Sequence, residues 1–262
     1  MIGCIIQARM GSSRLPGKVL KKLTDDKSNL DFLINQLSFS KLIDKIIIAT
    51  TKFDQDDIIQ EYCQNNNLDY FRGNSKDVLD RYYSCAKKFN IDKILRITSD
   101  CPLIDPEIID KIISEFELNN YDYVTNTLVR TYPVGTDVEI FSFDSLEKSW
   151  KNAILPSERE HVTQFIKNRK MNFKTKNIEY EKDLSHLRWT LDRKEDLLLI
   201  KKITSKIKKE PILMNDILSL LAREPELIKI NENIAQNEGI LKSLNEDKNY
   251  YKLKNDKNEK NN

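Results

Sequence analysis

Cysteine and histidine are scarce in this chain of 262 residues, which holds four cysteines and two histidines. The cysteines are Cys4, Cys63, Cys85 and Cys101. A zinc site of cysteine and histidine is not expected, because the ligands of such sites come in closely spaced pairs and this chain has no C-x-x-C. Few thiols without paired spacing are typical of a reduced, cytoplasmic protein, which is the location we expect.

Long apolar runs and an excess of charge of one sign are also missing. No stretch approaches the length of a transmembrane span, and the sequence opens directly on a strand pattern, so we expect no membrane association and no targeting segment. Lysine and arginine number 43 against 41 aspartates and glutamates, a net charge of +2. This balance gives no reason to expect nucleic acid as a partner. Any recognition of phosphate must then be local.

The chain does have a dense group of cations, hydroxyls and glycines directly after an apolar strand, Ile2–Ala8. The group consists of Arg9, Gly11, Ser12, Ser13, Arg14, Gly17 and Lys18. Ligands of open α/β sheets bind at the carboxyl ends of strands. Glycines there let the backbone approach an anion, while hydroxyls and cations bind it. We interpret this loop as a cradle for a polyphosphate.

Two alternatives compete with that interpretation. The loop formally matches the P-loop pattern G-x-x-x-x-G-K, but Val19 stands where a P-loop has Ser or Thr, and Pro16 removes a backbone donor. A basic surface turn without a ligand is the other alternative. It is disfavoured because the cations Arg9, Arg14 and Lys18 would repel each other unless an anion lay among them.

The first half of the chain alternates strands and helices. Predicted strands are Ile2–Ala8, Lys45–Thr51, Leu68–Gly73 and Lys93–Thr98, and predicted helices are Asn29–Lys41, Asp54–Asn66, Ser75–Phe89 and Asp105–Phe116. Ser75 and Asp105 are the candidate N-caps of the last two helices. This alternation predicts an α/β fold with a mostly parallel sheet flanked by helices.

The pattern changes at about residue 120. The β-rich segments Tyr121–Val129 and Asp137–Phe143 predict an antiparallel excursion, at about 120–185, that covers an active site or forms a subunit contact. A last strand is predicted at His186–Leu191, followed by a helix from Glu195. We assign residues 1–245 to one domain. Residues 246–262 are mainly Lys, Asn, Asp and Glu and predict a disordered tail.

Two acidic residues directly follow predicted strands. Asp100 comes after Lys93–Thr98, and Asp192 comes after His186–Leu191. Both would lie at the same sheet edge as the cradle, and Mg²⁺ prefers one or two carboxylates together with phosphate oxygens and water. The sequence therefore predicts a site for Mg²⁺ (or Mn²⁺) there. The alternative, a turn or N-cap carboxylate at each position, stays open.

Other polar residues have two interpretations each. Ser157 and Glu160 have capping-box spacing, whereas Arg159 and His161 would contact an anionic acceptor, with His161 able to assist its deprotonation. Asp77 and Arg81 have the spacing of a surface ion pair, which we slightly favour over contact of Arg81 with a nucleotide.

Several segments resemble the cytidylyltransferase family that contains CMP-sialate and CMP-Kdo synthetases, in particular a branch named after a spore coat polysaccharide biosynthesis protein. The similar segments are 6–18, 71–82, 96–105, 158–163 and 188–197. The resemblance implies a Rossmann-like nucleotide-diphospho-sugar transferase fold with an antiparallel dimerisation segment. It also implies a reaction of CTP with a small-molecule acceptor that releases pyrophosphate, in polysaccharide or glycoconjugate biosynthesis by a homodimer.

The resemblance also implies roles for individual residues. Arg9 and Lys18 would hold the triphosphate, and Asp100 and Asp192 would hold Mg²⁺. Further nucleotide-binding candidates are Ala8, Gly11, Ser12, Ser13, Arg14, Arg72, Arg81 and Thr98. The acceptor candidates Glu139, Arg159, His161 and Arg188 are not implied by the resemblance, and a salt-bridged residue of a dimer contact is the equal alternative for Glu139. Thr98 stands where CMP-Kdo synthetases carry Gln, so the choice of base is open. A glycosyltransferase of the same architecture and a non-catalytic nucleotide-binding protein are the rival functions.

Overall fold

A single seven-stranded sheet organises the computed structural model, which describes residues 1–235 and 238–259, with backbone only at 170 and 253–259. The strands are β1 (Ile2–Gln7), β2 (Lys45–Thr51), β3 (Asp69–Gly73), β4 (Lys93–Thr98), β5 (Tyr123–Thr125), β6 (Glu139–Ser142) and β7 (Thr175–Asn177). Their order is β3-β2-β1-β4-β6-β5-β7. The first four are parallel, and β6 runs antiparallel to both β4 and β5. The expected Rossmann-like α/β sheet with an antiparallel part is confirmed.

Strand β1 lies inside the sheet, between β2 and β4, and its side chains are apolar on both faces. Cys4, Ile5 and Ile6 are completely buried. Cys4 and Ile6 pack into the core on one side and Ile5 into the core on the other. Burial on both faces is what a parallel strand between helical layers requires. The loop that follows β1 is thereby fixed at the centre of the carboxyl edge.

Helices cover both faces of the sheet. They are α1 (Asn29–Leu37), α2 (Asp57–Asn65), α3 (Val78–Lys88), α4 (Pro106–Asn119), α5 (Phe143–Asn152), α6 (Pro156–Glu160), α7 (Gln164–Asn168), α8 (Lys194–Lys206), α9 (Met214–Arg223) and α10 (Glu238–Glu259). Asp105 caps α4, with Pro106 in its first turn, as predicted. The cap predicted at Ser75 is wrong: Asp77 accepts the backbone N–H of Asp80 and α3 begins three residues later than predicted. No helix within the described ranges is long and apolar enough to cross a membrane.

The predicted strand His186–Leu191 is not a strand of the sheet. It forms only an isolated bridge, between Arg188 and Val134. Its backbone donors serve loops instead: Trp189 donates to Val134 O at 2.8 Å, and Leu191 donates to Asp100 O at 2.7 Å. The apolar pattern arises because Leu187, Trp189 and Leu191 are all buried in the hydrophobic core.

The segment 246–262, for which the sequence predicts disorder, lies partly in α10. Residues up to Glu259 belong to α10, and residues 260–262 lie outside the described part. Asp247 explains why a polar helix packs here. Its buried carboxylate accepts the backbone N–H of Ser157 at 2.9 Å and the Ser157 hydroxyl at 2.5 Å. The last helix is therefore attached to α6 by polar contacts that composition does not reveal.

Candidate active site

The loop after β1 curls back on itself at the carboxyl edge of the sheet. Met10 donates its backbone N–H to the Asp56 carboxylate at 2.6 Å, and Gly17 donates to Met10 O at 3.1 Å. Gly17 has φ +68°, in the left-handed region where a side chain is unfavourable. Asp56 is completely buried. The backbone bond between Gly17 and Met10 thus closes the loop, and Asp56 fixes it to the connection between β2 and α2.

Lys18 lies between the carboxylates of Asp100 and Asp192. Its ammonium is 2.8 Å from Asp100 Oδ2 and 2.7 Å from Asp192 Oδ1, and the side chain is only 11% exposed. Arg14 approaches the other oxygen of Asp192 at 2.7 Å. The structure therefore brings the cradle together with both acids predicted from the sequence. The carboxylates of Asp100 and Asp192 reduce the repulsion between Lys18 and Arg14, so a bound anion is not needed for these two cations to lie close together.

The pairing changes the ionisation of both partners. Burial opposes the charged form of Asp100, but the Lys18 ammonium outweighs it and lowers the pKa of Asp100 to about 2. Burial also opposes the charge on Lys18, yet Asp100 and Asp192 together raise its pKa. Asp100 and Lys18 are accordingly both charged at neutral pH, as binding of cations and phosphates requires.

Backbone contacts fix the spacing of the two acids. Besides the bond from Leu191, the Thr190 hydroxyl donates to Asp100 O at 2.9 Å. The loop that carries Asp192 is thereby held against the loop that carries Asp100, although it is not a strand.

Two carboxylates that share one ammonium fit a divalent cation that takes its remaining ligands from phosphate and water. No group of three or more His, Cys, Asp or Glu side chains arranged for a metal occurs among the described residues. A metal at Asp100 and Asp192 would therefore depend on ligands from a bound nucleotide.

A cleft of about 190 Å³ opens beside these acids. Its walls include Thr98, Gly135 and Arg188. Gly135 has φ +110°, and a Cβ there would lie 2.8 Å from the backbone N of Thr190. Only glycine permits this close approach between the excursion and the Asp192 loop.

The remaining arginine candidates differ in their environments. Arg72 donates to Thr51 O and to Phe53 O, both at 2.9 Å, so it supports the loops instead of facing the cleft. Arg9 is half exposed and lies 3.4 Å from Glu160. Arg81 is almost completely buried, and its Nε and Nη1 have no hydrogen-bond partner among the described residues. Burial opposes the charge on Arg81, the nearby Arg9 also lowers its pKa, and the unpaired donors have the chemistry to bind an anion or a carbonyl oxygen.

The expected surface ion pair of Asp77 with Arg81 is wrong. Asp77 instead accepts a hydrogen bond from Arg159 Nε at 2.8 Å. The Ser157–Glu160 capping box is wrong too, because Glu158 accepts the backbone N–H groups that precede α6. Asp77 is thus paired with a residue 82 positions away, whereas the cap of α6 stays local and uses Glu158 in place of Glu160.

The acceptor candidates Glu139 and His161 lie in a buried polar cluster. Glu139 pairs with Arg96 and with Lys167, and accepts from the Tyr123 hydroxyl at 2.5 Å. Although burial opposes it, the charges of Lys167 and Arg96 lower the pKa of Glu139 well below its ordinary range. His161 Nε2 is 2.9 Å from the Ser243 hydroxyl on α10. Its pKa is lowered to about 4 by burial and then by Arg96 and Lys167.

Sequence reasoning missed two buried carboxylates, Asp56 and Asp196. Asp56 holds Met10 of the cradle, and Asp196 accepts the backbone N–H of Asp192 at 3.0 Å. Asp196 is in the first turn of α8, where an acidic residue next to a helix start is a recognisable signal. No local signal distinguishes Asp56, because its partner is 46 residues away.

Comparisons with known proteins give a consistent result. A family model described as cytidylyltransferase matches residues 3–243. An uncharacterised protein of Methanocaldococcus jannaschii is 39% identical over 234 residues, 88% of this chain and 95% of that protein. The spore coat polysaccharide biosynthesis protein SpsF of Bacillus subtilis is 33% identical over 230 residues, 85% of this chain and 94% of that protein.

A solved structure shows the same similarity in three dimensions. The structure of a cytidylyltransferase from Leptospira borgpetersenii superposes with a TM-score of 0.83 at 35% identity. The superposition covers 89% of this chain and 98% of that one. Sheet, excursion and C-terminal elements up to about residue 243 are therefore matched as one unit.

Proposed function

Since the chain belongs to the cytidylyltransferase family and is a nucleotidyltransferase, we propose that it uses CTP and Mg²⁺ to activate a sugar, sugar acid or small phosphorylated acceptor, with release of pyrophosphate. The name of the B. subtilis relative supports polysaccharide or glycoconjugate biosynthesis as the setting. A cytoplasmic homodimer without nucleic acid or membrane partners stays part of this proposal.

The observation that carries the proposal is the position of Lys18 between Asp100 and Asp192. An incoming triphosphate offers oxygens to Lys18 and to Arg14, and both cations are already at the carboxyl edge of the sheet. The two carboxylates released from these cations then become available to Mg²⁺, which neutralises phosphate charge when bound. In this proposal Lys18, Arg14, Asp100 and Asp192 all exchange partners when the triphosphate binds.

The reaction itself requires positioning and charge neutralisation more than covalent participation of the protein. A hydroxyl or phosphate oxygen of the acceptor attacks the α-phosphorus in line, and the bond from that phosphorus to the bridging oxygen of the pyrophosphate breaks. Lys18 and Arg14 hold the negative charge that develops on the leaving pyrophosphate. The cleft that begins at Thr98 and Gly135 is where we place the acceptor.

Calorimetric titration with CTP, UTP, ATP and GTP, with and without Mg²⁺, tests the proposal. We expect tightest binding of CTP with Mg²⁺. Lys18→Ala removes a charge-assisted contact of about 1.5–3 kcal/mol, a roughly 10- to 150-fold loss of affinity. The exposed Lys27, which pairs with Glu210, provides the matched control Lys27→Ala.

Asp100→Ala distinguishes the contribution of the metal to CTP binding from the contribution of the cradle. It should weaken binding of CTP with Mg²⁺ but leave metal-free binding unimpaired, because the removed carboxylate repels phosphate. Preference for another triphosphate would contradict the cytidylyl assignment. Tight binding of a nucleotide sugar with no triphosphate binding would contradict the proposal as a whole and favour a glycosyltransferase.

A further inference from the structure

Arg188 lines the cleft beside Asp100 and Asp192, yet its charge is directed elsewhere. Its guanidinium donates to Asp196 twice, from Nε at 2.9 Å and from Nη2 at 3.0 Å. The side chain of Arg188 is 9% exposed and that of Asp196 is completely buried. This bidentate geometry is the strongest form of arginine–carboxylate pairing.

The two cleft carboxylates nevertheless act on Arg188. Burial opposes its charge, and Asp196 first, then Asp192 and Asp100, raise the pKa of Arg188. Arg188 therefore lies in the electrostatic field of three carboxylates, lines the same cleft as Asp100 and Asp192, and pairs with Asp196. If Arg188 turned to Asp192 or Asp100, it would neutralise the charge that a divalent cation needs there.

Asp196 is held in the orientation that binds Arg188. Both of its oxygens accept several hydrogen bonds, which hold the carboxylate in one orientation. Apart from the two bonds with Arg188, it accepts from Asp192 N, Arg193 N and Asn231 Nδ2, at 2.9–3.0 Å. The Asn231 amide also donates to Arg188 O, so the pair is fixed from both ends.

We propose that Asp196 is a positioning residue that holds the Arg188 guanidinium away from Asp100 and Asp192 and so keeps these two carboxylates available to a divalent cation. The inference rests on the proposed function, since it presumes a cation at Asp100 and Asp192. It assigns Arg188 a role different from the acceptor contact expected from the sequence.

Binding of Mn²⁺ in the presence of CTP, followed by electron paramagnetic resonance, tests the proposal without turnover. Asp196→Asn retains the shape of the side chain but loses its charge and one acceptor oxygen, so that Arg188 is held less strongly and can pair with Asp192. We expect Mn²⁺ to bind about 10- to 100-fold more weakly, as is typical when a residue that supports metal ligands is changed. The double variant Asp196→Asn/Arg188→Gln should recover most of that affinity, which a purely structural role of Asp196 would not produce.

The matched control is Asp216→Asn. Asp216 occupies the corresponding place in α9, where its carboxylate accepts the Leu213 N–H at 2.9 Å, and it does not line the cleft. This variant loses a similar first-turn contact and should bind Mn²⁺ as the parent does. If Asp196→Asn does not fold, Arg188→Gln alone serves: the proposal expects it to bind Mn²⁺ at least as tightly as the parent.

The outcomes separate the two proposals. A parent protein that binds neither Mn²⁺ nor CTP would refute the proposed function. A parent that binds both, beside an Asp196→Asn variant as tight as Asp216→Asn, would overturn only the role of Asp196. The role of Asp196 would also be overturned if Asp196→Asn lost Mn²⁺ affinity and the double variant did not recover it. An equal loss of Mn²⁺ affinity in Arg188→Gln alone would overturn it too.

Discussion

Replacing Lys18 with methionine removes the ammonium between two acids but keeps most of the side chain's volume. Asp100 and Asp192 then lie close together without a cation, and each repels the other. The fall in the pKa of Asp100 from 3.8 to about 2 corresponds to about 2 kcal/mol of stabilisation of the folded state. For a chain of this size, about 2 kcal/mol lowers the melting temperature by about 4–8 °C.

Thermal unfolding at pH 7 without nucleotide measures the effect of Lys18→Met. Its matched control is Lys27→Met, which breaks a pair whose side chains are 38% and 43% exposed and should change stability little. Equal melting temperatures for the two variants would refute the reasoning.

Acid provides a second check on the same residue. The folded-state pKa of Asp100 lies below its ordinary value, so its pairing with Lys18 stabilises the fold fully above about pH 4 and less as the pH falls toward 2. Urea unfolding from pH 6 to pH 3 should therefore show the gap between parent and Lys18→Met narrowing at the acidic end. A constant gap would show that the lysine stabilises by packing alone.

Two further predictions concern the surroundings of the site. Gly135→Ala should destabilise the fold by more than about 1 kcal/mol, measured by urea unfolding, because φ +110° and the close Thr190 backbone exclude a Cβ. Gly239→Ala is the control, since no described atom lies within 4 Å of the Cβ it would add, and an equal effect of both would contradict the argument. Because the pKa of His161 is lowered to about 4, its imidazole should stay neutral from pH 7.5 to 5.5 by NMR, and the fold should lose stability as the pH falls from 6.5 toward 4. A titration midpoint near 6.5 would show that His161 is not buried among cations.

The strand-end acids were accessible from sequence because apolar runs mark strands and parallel strands end at one edge. Asp100 follows from that rule directly. Asp192 was placed correctly for a partly wrong reason, since the segment before it is held by Val134 and by Asp100 O rather than by a strand neighbour. Bonds between loops provided the geometry that periodicity attributed to the sheet.

The misplaced pairs fail for a related reason. Spacing suggested that Asp77 would pair with Arg81, but the chain brings Arg159 to Asp77 from 82 residues away. A single sequence reports on neighbours three or four positions apart and contains no sign of such distant partners. The short polar strand β7 was missed likewise, because Thr175–Asn177 has neither apolar alternation nor length.

The attachment of α10 has a practical consequence for how the domain is delimited. The cytidylyltransferase match ends at residue 243, inside the helix Glu238–Glu259 and four residues before Asp247. A fragment cut there would lose the two hydrogen bonds that Ser157 donates to the Asp247 carboxylate, about 1.5–3 kcal/mol for each as bonds to a charged group. A boundary drawn from family similarity alone would thus divide a folding unit, and the shortened protein would expose the face of α6 that the last helix covers.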